Sequence, residues 1–149
     1  VTPCLKHYPG HGLALQDSHI ELTDITLTKH PDERTAFRLM IQRGVAPIIM
    51  SAHVIDKDID PNNPVSLSKI YLSQELRGKD GFKGLIVTDD LHMGAICQNY
   101  SIEEAVTKAL DAGNDLLIIS NNKRTHTLER FYNVIRPLRN HLRQIRIFS

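Results

Sequence analysis

The chain has 149 residues, of which 41% are hydrophobic and 23% charged, and a formal net charge of +1. That length and balance match one ordinary globular domain, and no apolar run approaches the roughly 18 residues of a membrane span. Two cysteines, Cys4 and Cys97, supply neither a disulfide framework nor a metal-ligand spacing, and lie in or beside apolar segments as buried free thiols do.

In chain order, "PCLKHY" (3–8) has strand length and runs into the loop "KHYPGHGLALQDSH" (6–19), where Gly10 and Gly12 let the backbone turn sharply. "PDERTAFRLMIQRG" (31–44) reads as a helix, with Pro and acidic residues at its start and Gly44 as its stop. The Ile-rich run "VAPIIMSAHV" (45–54) reads as a buried parallel strand. "SLSKIYLSQELRG" reads as a helix with Ser66 or Ser68 as its cap and Gly78 as its end. "GLIVTDDL" (84–91) is a third strand, and "SIEEAVTKALDAG" a helix with Ser101 and Glu104 in capping-box spacing and Gly113 as its stop. "NDLLIIS" (114–120) is a fourth strand. This alternation predicts an α/β fold, a parallel sheet with helices on its faces. Four strand–helix units amount to half of an eight-unit barrel.

The final segment, 123–149, carries seven of the 18 basic side chains and one acidic one. Such a tail can bind nucleic acid or an acidic membrane surface. Leu128, Phe131, Tyr132, Ile135, Leu138 and Leu142 nevertheless recur at helical spacing, which predicts a packing helix with its arginines in water. No nucleic-acid or membrane partner is therefore expected. No charged-then-apolar leader is visible, which says little where the sequence opens mid-motif; a cytoplasmic location is expected.

His7, His53, Asp89 and Asp90 all fall at the C-terminal ends of predicted strands, the edge where α/β sheets and barrels bind ligands. A carboxylate such as Asp89 at a strand end suits a nucleophile, a general base or a metal ligand, and equally a cap for the following helix. The doublet Asp89-Asp90 suggests one side chain facing the mouth and the other bonded to the loop. Asp17 and His19, two apart on an extended loop, point the same way, so that the acid can orient the ring; taken alone, the pair fits a solvated loop His with an Asx-turn Asp better. Lys6 and His7 suit recognition of hydroxyls or an anion, or form a plain strand-to-loop turn.

Two metal readings fail. "DKDIDPNNPVSL" has Pro61 where a calcium loop needs Gly and Leu67 where it needs Glu. His7, His11, His19 and Asp17 match no standard zinc spacing.

Together, "KHYPGHG", four residues and "DSH", followed by "IIMSAHV", "PVSLS", "GFKGLIVTDDLHMGAI" and "ALDAGNDLLII", resemble glycoside hydrolase family 3, in particular its β-N-acetylglucosaminidase branch, over residues 1 to about 120. The resemblance implies a retaining hydrolase in a (β/α)₈ barrel, of which this chain matches roughly the second half. It implies Asp89 as nucleophile, His19 as acid/base with Asp17 as its dyad partner, and Lys6 and His7 on the N-acetylglucosamine. His53 and Met93, from the strand end and the "TDDLHM" motif, are further substrate-binding candidates. It implies no metal and no diffusible cofactor, and a saccharide partner containing N-acetylglucosamine from peptidoglycan turnover. A half barrel exposes apolar edges, so a missing half or a second copy is an expected partner. The alternative is a truncated, non-catalytic remnant that binds sugar weakly or serves as an interaction module.

Overall fold

The computed structural model describes residues 1–11 and 22–120, together with Tyr132, Ile135, Arg136, Leu138 and Arg139. In chain order the elements are β1 (Cys4–Tyr8), β2 (Thr23–Asp24), α1 (Pro31–Gln42), β3 (Ile48–Ser51) and β4 (Val54–Ile55). There follow a 3₁₀ turn (Val65–Leu67), a π-helix (Ile70–Lys79), β5 (Leu85–Asp90), α2 (Gly94–Cys97), α3 (Ile102–Ala112) and β6 (Leu116–Ile118). The four predicted strands form one parallel sheet in the order β1-β3-β5-β6. Sequential parallel neighbours joined through helices are what alternating apolar runs and amphipathic helices dictate.

The helix ends follow their caps. His30 Nδ1 accepts the Asp32 N–H ahead of α1, with Pro31 at its first position. Ser101 Oγ accepts the Glu104 N–H, and Gly113 closes α3 with φ 105°, a left-handed conformation that glycine adopts without a steric penalty.

The middle of the chain departs from expectation. The run 45–54 divides: β3 ends at Ser51, and β4 leaves the sheet to pair with β2 through Thr23↔Val54 and Asp24↔Ile55. The helix expected over 66–78 begins at Ile70 and passes through Gly78 to Lys79. Its turns are wide, with the Asp80 N–H donating to Glu75 O and the Phe82 N–H to Leu76 O. Ser68, rather than Ser66, meets its first turn, accepting the Tyr71 N–H.

The widened helix carries Glu75 and Asp80 to α1. Asp80, whose side chain is wholly buried, receives Arg34 through both oxygens at 3.0 Å, Arg38 Nε at 2.7 Å and the Tyr8 hydroxyl at 2.8 Å. Glu75 receives Arg34 Nη1 at 2.9 Å and Lys79 Nζ at 2.6 Å. Burial opposes charge on Asp80, but the Arg34, Arg38 and Tyr8 bonds outweigh it and hold its pKa below the usual carboxylate range. Burial pushes the Tyr8 phenol far above its ordinary value.

Around this network lies the main core, with Tyr8, Phe37, Ile49, Tyr71, Leu72, Leu76, Phe82 and Ile86 packed between sheet and helices. A second cluster joins Leu67, Leu91 and Ile96 to Ala105, Val106 and Ala109 of α3. Leu138 packs against it, whereas Tyr132 and Ile135 are exposed. Leu128, Phe131 and Leu142 lie outside the described residues.

Asp80→Ala leaves Arg34 half-buried without its bidentate partner and is expected to cost about 3 kcal/mol in urea unfolding. Arg38→Ala removes a largely solvated arm and is expected to cost under about 1 kcal/mol. Equal costs for the two would contradict the asymmetry.

Candidate active site

Parallel register brings the C-terminal ends of the strands to one edge: Tyr8 pairs with Ser51, Ser51 with Thr88, and Asp90 with Ile118. His7, Asp89 and Asp90 therefore meet there although 82 positions separate His7 from Asp89 in the chain.

The two aspartates divide as their doublet suggests. Asp90 turns away, its Oδ1 accepting the N–H groups of His92 at 3.0 Å and Ser120 at 2.9 Å. Burial works against its charge, but the bonds from Ser120 and His92 prevail and keep its pKa low. Asp89 keeps one oxygen available. Its Oδ1 accepts the Asp90 N–H at 2.8 Å, while Oδ2 lies 3.6 Å from His7 Nε2. Both side chains remain reachable, 21% and 29% exposed. A carboxylate pinned through one oxygen, with the other turned to an open edge, is oriented for attack or for holding a cation.

His7 and the exposed Lys6 also border an open hollow of about 370 Å³, completed by Gly10, His11, Glu33 and Phe37. The ring of His11 stands 5.5 Å from that of His7.

His53 sits at this edge, but beneath it. Its ring is 1% exposed and both nitrogens are engaged: Nε2–H donates to Asp90 O at 3.0 Å, and Nδ1 bonds Ser66 Oγ at 2.7 Å. A carbonyl can only accept, so the proton is on Nε2 and the neutral ring accepts from the Ser66 hydroxyl at Nδ1. Burial pushes the His53 pKa below the ordinary imidazole value, against the Asp90 carbonyl and the Asp89 charge. Ser66 is tied further: its carbonyl accepts Asn114 Nδ2 at 2.9 Å, and Asn114 Oδ1 accepts the Ser51 hydroxyl at 3.1 Å. Met93, nearly buried, opens α2 and donates its own N–H to Asp90 O at 2.9 Å.

His92 escaped the sequence reading. Its Nδ1–H donates to Ser120 O at 2.6 Å, tying the end of β5 to the end of β6. The signal was its place two residues after the Asp doublet.

Asp17 and His19 lie outside the described residues. Among the described residues no group of three or more His, Cys, Asp or Glu is placed to hold a metal. The Asp-rich loop is internally satisfied: Asp56 and Asp58 pair with Lys29, and Asp60 accepts from Asn62, Asn63 and Ser68.

Comparison with known proteins matches residues 1–147 to the glycosyl hydrolase family 3 N-terminal domain. A beta-hexosaminidase of Thiobacillus denitrificans is 38% identical over 125 residues, covering 82% of this chain and 34% of that protein. The structure of a glycoside hydrolase family 3 beta-N-acetylglucosaminidase from Paenibacillus sp. superposes with a TM-score of 0.79 at 34% identity, over 91% of this chain and 25% of that one. NagZ from Neisseria gonorrhoeae, solved with N-trifluoroacetyl-D-glucosamine, gives a TM-score of 0.63 at 36% identity, over 79% of this chain and 33% of its own. The chain spans about a third of the length of the curated relatives it matches.

The buried ring has a pH consequence. With a folded-state pKa below the unfolded one, His53 contributes stability fully above a pH of about 6.5 and progressively less below it, because the unfolded chain binds the extra proton. The thermal midpoint is expected to fall between about pH 7.5 and about pH 5.5, and His53→Gln to flatten that slope. An unchanged slope in the variant would show the ring to be protonated when folded.

Proposed function

The chain belongs to glycoside hydrolase family 3, and on that footing we propose that it carries the nucleophile of a retaining β-N-acetylglucosaminidase. One observation carries the reading. Asp89 stands at the ligand-binding edge of a parallel sheet with Oδ1 fixed by the Asp90 N–H and Oδ2 open toward His7.

In this reading Oδ2 attacks the anomeric carbon as the glycosidic bond breaks, forming a glycosyl-enzyme ester. His19, oriented by Asp17, gives its proton to the leaving oxygen. It then takes a proton from the water that attacks the ester, restoring Asp89. A histidine here avoids a second full negative charge beside the nucleophile, and an imidazole can both donate and accept a proton near neutral pH. Lys6 and His7 hold the N-acetylglucosamine. Met93 borders it from the start of α2, and His53 acts from below by fixing the Asp90 peptide. No step calls on a metal or a diffusible cofactor. The relatives' names support an N-acetylhexosaminide as substrate, and β-linked N-acetylglucosaminides of peptidoglycan fragments are the proposed natural class.

The test is hydrolysis of a chromogenic β-N-acetylglucosaminide by the purified chain. Asp89→Ala is expected to lower kcat by at least about 10³-fold. His19→Ala is expected to cost roughly 10²–10⁴-fold on substrates with poor leaving groups and far less on those with acidic ones. Turnover unaffected by Asp89→Ala would overturn the assignment, and a folded chain without turnover would favour an inherited, unused site.

A further inference from the structure

The sequence offers Ser66 as a helix cap, yet Ser68 takes that place by accepting the Tyr71 N–H. Ser66 is nonetheless wholly buried, in the 3₁₀ turn Val65–Leu67. A buried hydroxyl needs a partner, and its Oγ finds one in His53 Nδ1 at 2.7 Å. Its backbone is fixed on both sides. The Ser66 N–H donates to Ala52 O at 3.1 Å, just past the end of β3, and its carbonyl accepts Asn114 Nδ2 at 2.9 Å. The same Asn114 nitrogen donates to Ala109 O of α3 at 2.7 Å. The hydroxyl is therefore delivered to the ring from a rigid seat.

We propose that Ser66 is a positioning residue for the nucleophile, acting through His53 and Asp90. The inference rests on reading Asp89 as that nucleophile. The imidazole is held at opposite ends, Nδ1 by Ser66 and Nε2 by Asp90 O at 3.0 Å. A ring held by one bond can pivot about that atom; two bonds at opposite ends fix both its direction and its tautomer. The carbonyl and the N–H of Asp90 flank one α-carbon, and that N–H meets Asp89 Oδ1 at 2.8 Å. The Asp90 side chain is anchored as well, its Oδ1 accepting from His92 and Ser120. Residue 90 keeps little freedom of its own, so a displaced carbonyl is passed on to its N–H and to the Asp89 carboxylate. Ser66 thus sets where the carboxylate stands and takes no part in any bond made or broken, the support that a precise site requires of the residues behind it.

The first test reads the structure rather than turnover. In the isotope-labelled full chain, Ser66→Ala is expected to move the Asp90 amide and Asp89 carboxyl resonances. The Asp80 carboxyl, which belongs to the network behind β1, is expected to stay in place. A folded variant with an unmoved Asp89 carboxyl would overturn the proposal. Because Ser66→Ala can also unfold the chain, the nitrogen spectrum of His53 in the unsubstituted chain supplies a second reading. The ring is expected neutral near pH 7 with its proton on Nε2; a charged ring, or a proton on Nδ1, would overturn the proposal. On a chromogenic β-N-acetylglucosaminide, Ser66→Ala is expected to lower kcat by roughly 10- to 100-fold with KM little changed. A loss confined to KM would overturn the positioning role. The expected shifts in a chain without turnover would sink the proposed function and keep the tie from Ser66 to Asp89.

Discussion

The geometry of the site depends on the carbonyl of Asp90. It accepts the Met93 N–H from above and His53 Nε2–H from below, at 2.9 and 3.0 Å. The Asp90 N–H, on the preceding peptide, meets Asp89 Oδ1 at 2.8 Å, so one residue at the end of β5 carries both the held carbonyl and the bond that orients the Asp89 carboxylate. The hold on His53 is itself distributed. Ser66 bonds the ring, Asn114 bonds Ser66, and Ser51 bonds Asn114, all buried. Three separate parts of the chain thus converge beneath one carboxylate. A buried polar group without its partner costs about 1–3 kcal/mol, so this arrangement resists drift in a way that an exposed loop site does not.

A different network sets the wall behind β1. Tyr8 follows His7 directly, and its hydroxyl is fixed to an Asp80 that also receives Arg34 and Arg38. The π-helix is the means by which Asp80 and Glu75 reach α1. The first two strand–helix units are consequently joined through the buried Asp80 and Glu75 charges and through Tyr8, Phe37 and Ile49. The two networks meet at the strand ends, where His7 lies beside Asp89.

Much of the fold was legible because the strands are apolar runs bounded by turn residues, and because Pro31, Ser101, Gly44 and Gly113 mark α1 and α3. The two-residue pairing of β2 with β4 was not, since two residues carry no periodicity. The π-helix was not either: the contacts of Glu75 and Asp80 with Arg34 that go with it are tertiary, and local propensity is blind to them. At the site, the Asp89-Asp90 doublet announced its division of labour. His53 was read from its strand end as a sugar contact, whereas its ring is buried with both nitrogens occupied. The apolar run around it, "IIMSAHV", carried that signal, but the partners Ser66 and Asp90 are 13 and 37 positions away. Asp17 and His19 rest on the motif they share with the family.

The central claim, that Asp89 Oδ2 forms the covalent intermediate, is tested most directly by trapping it. The chain is incubated with a fluorinated N-acetylglucosaminyl fluoride, whose electron-poor ring slows hydrolysis of the ester, and the labelled peptide is then sequenced by mass spectrometry. The account predicts one sugar per chain, on Asp89. A stable adduct on any other carboxylate, Asp90 included, or a chain that turns over the reagent without labelling, would contradict it.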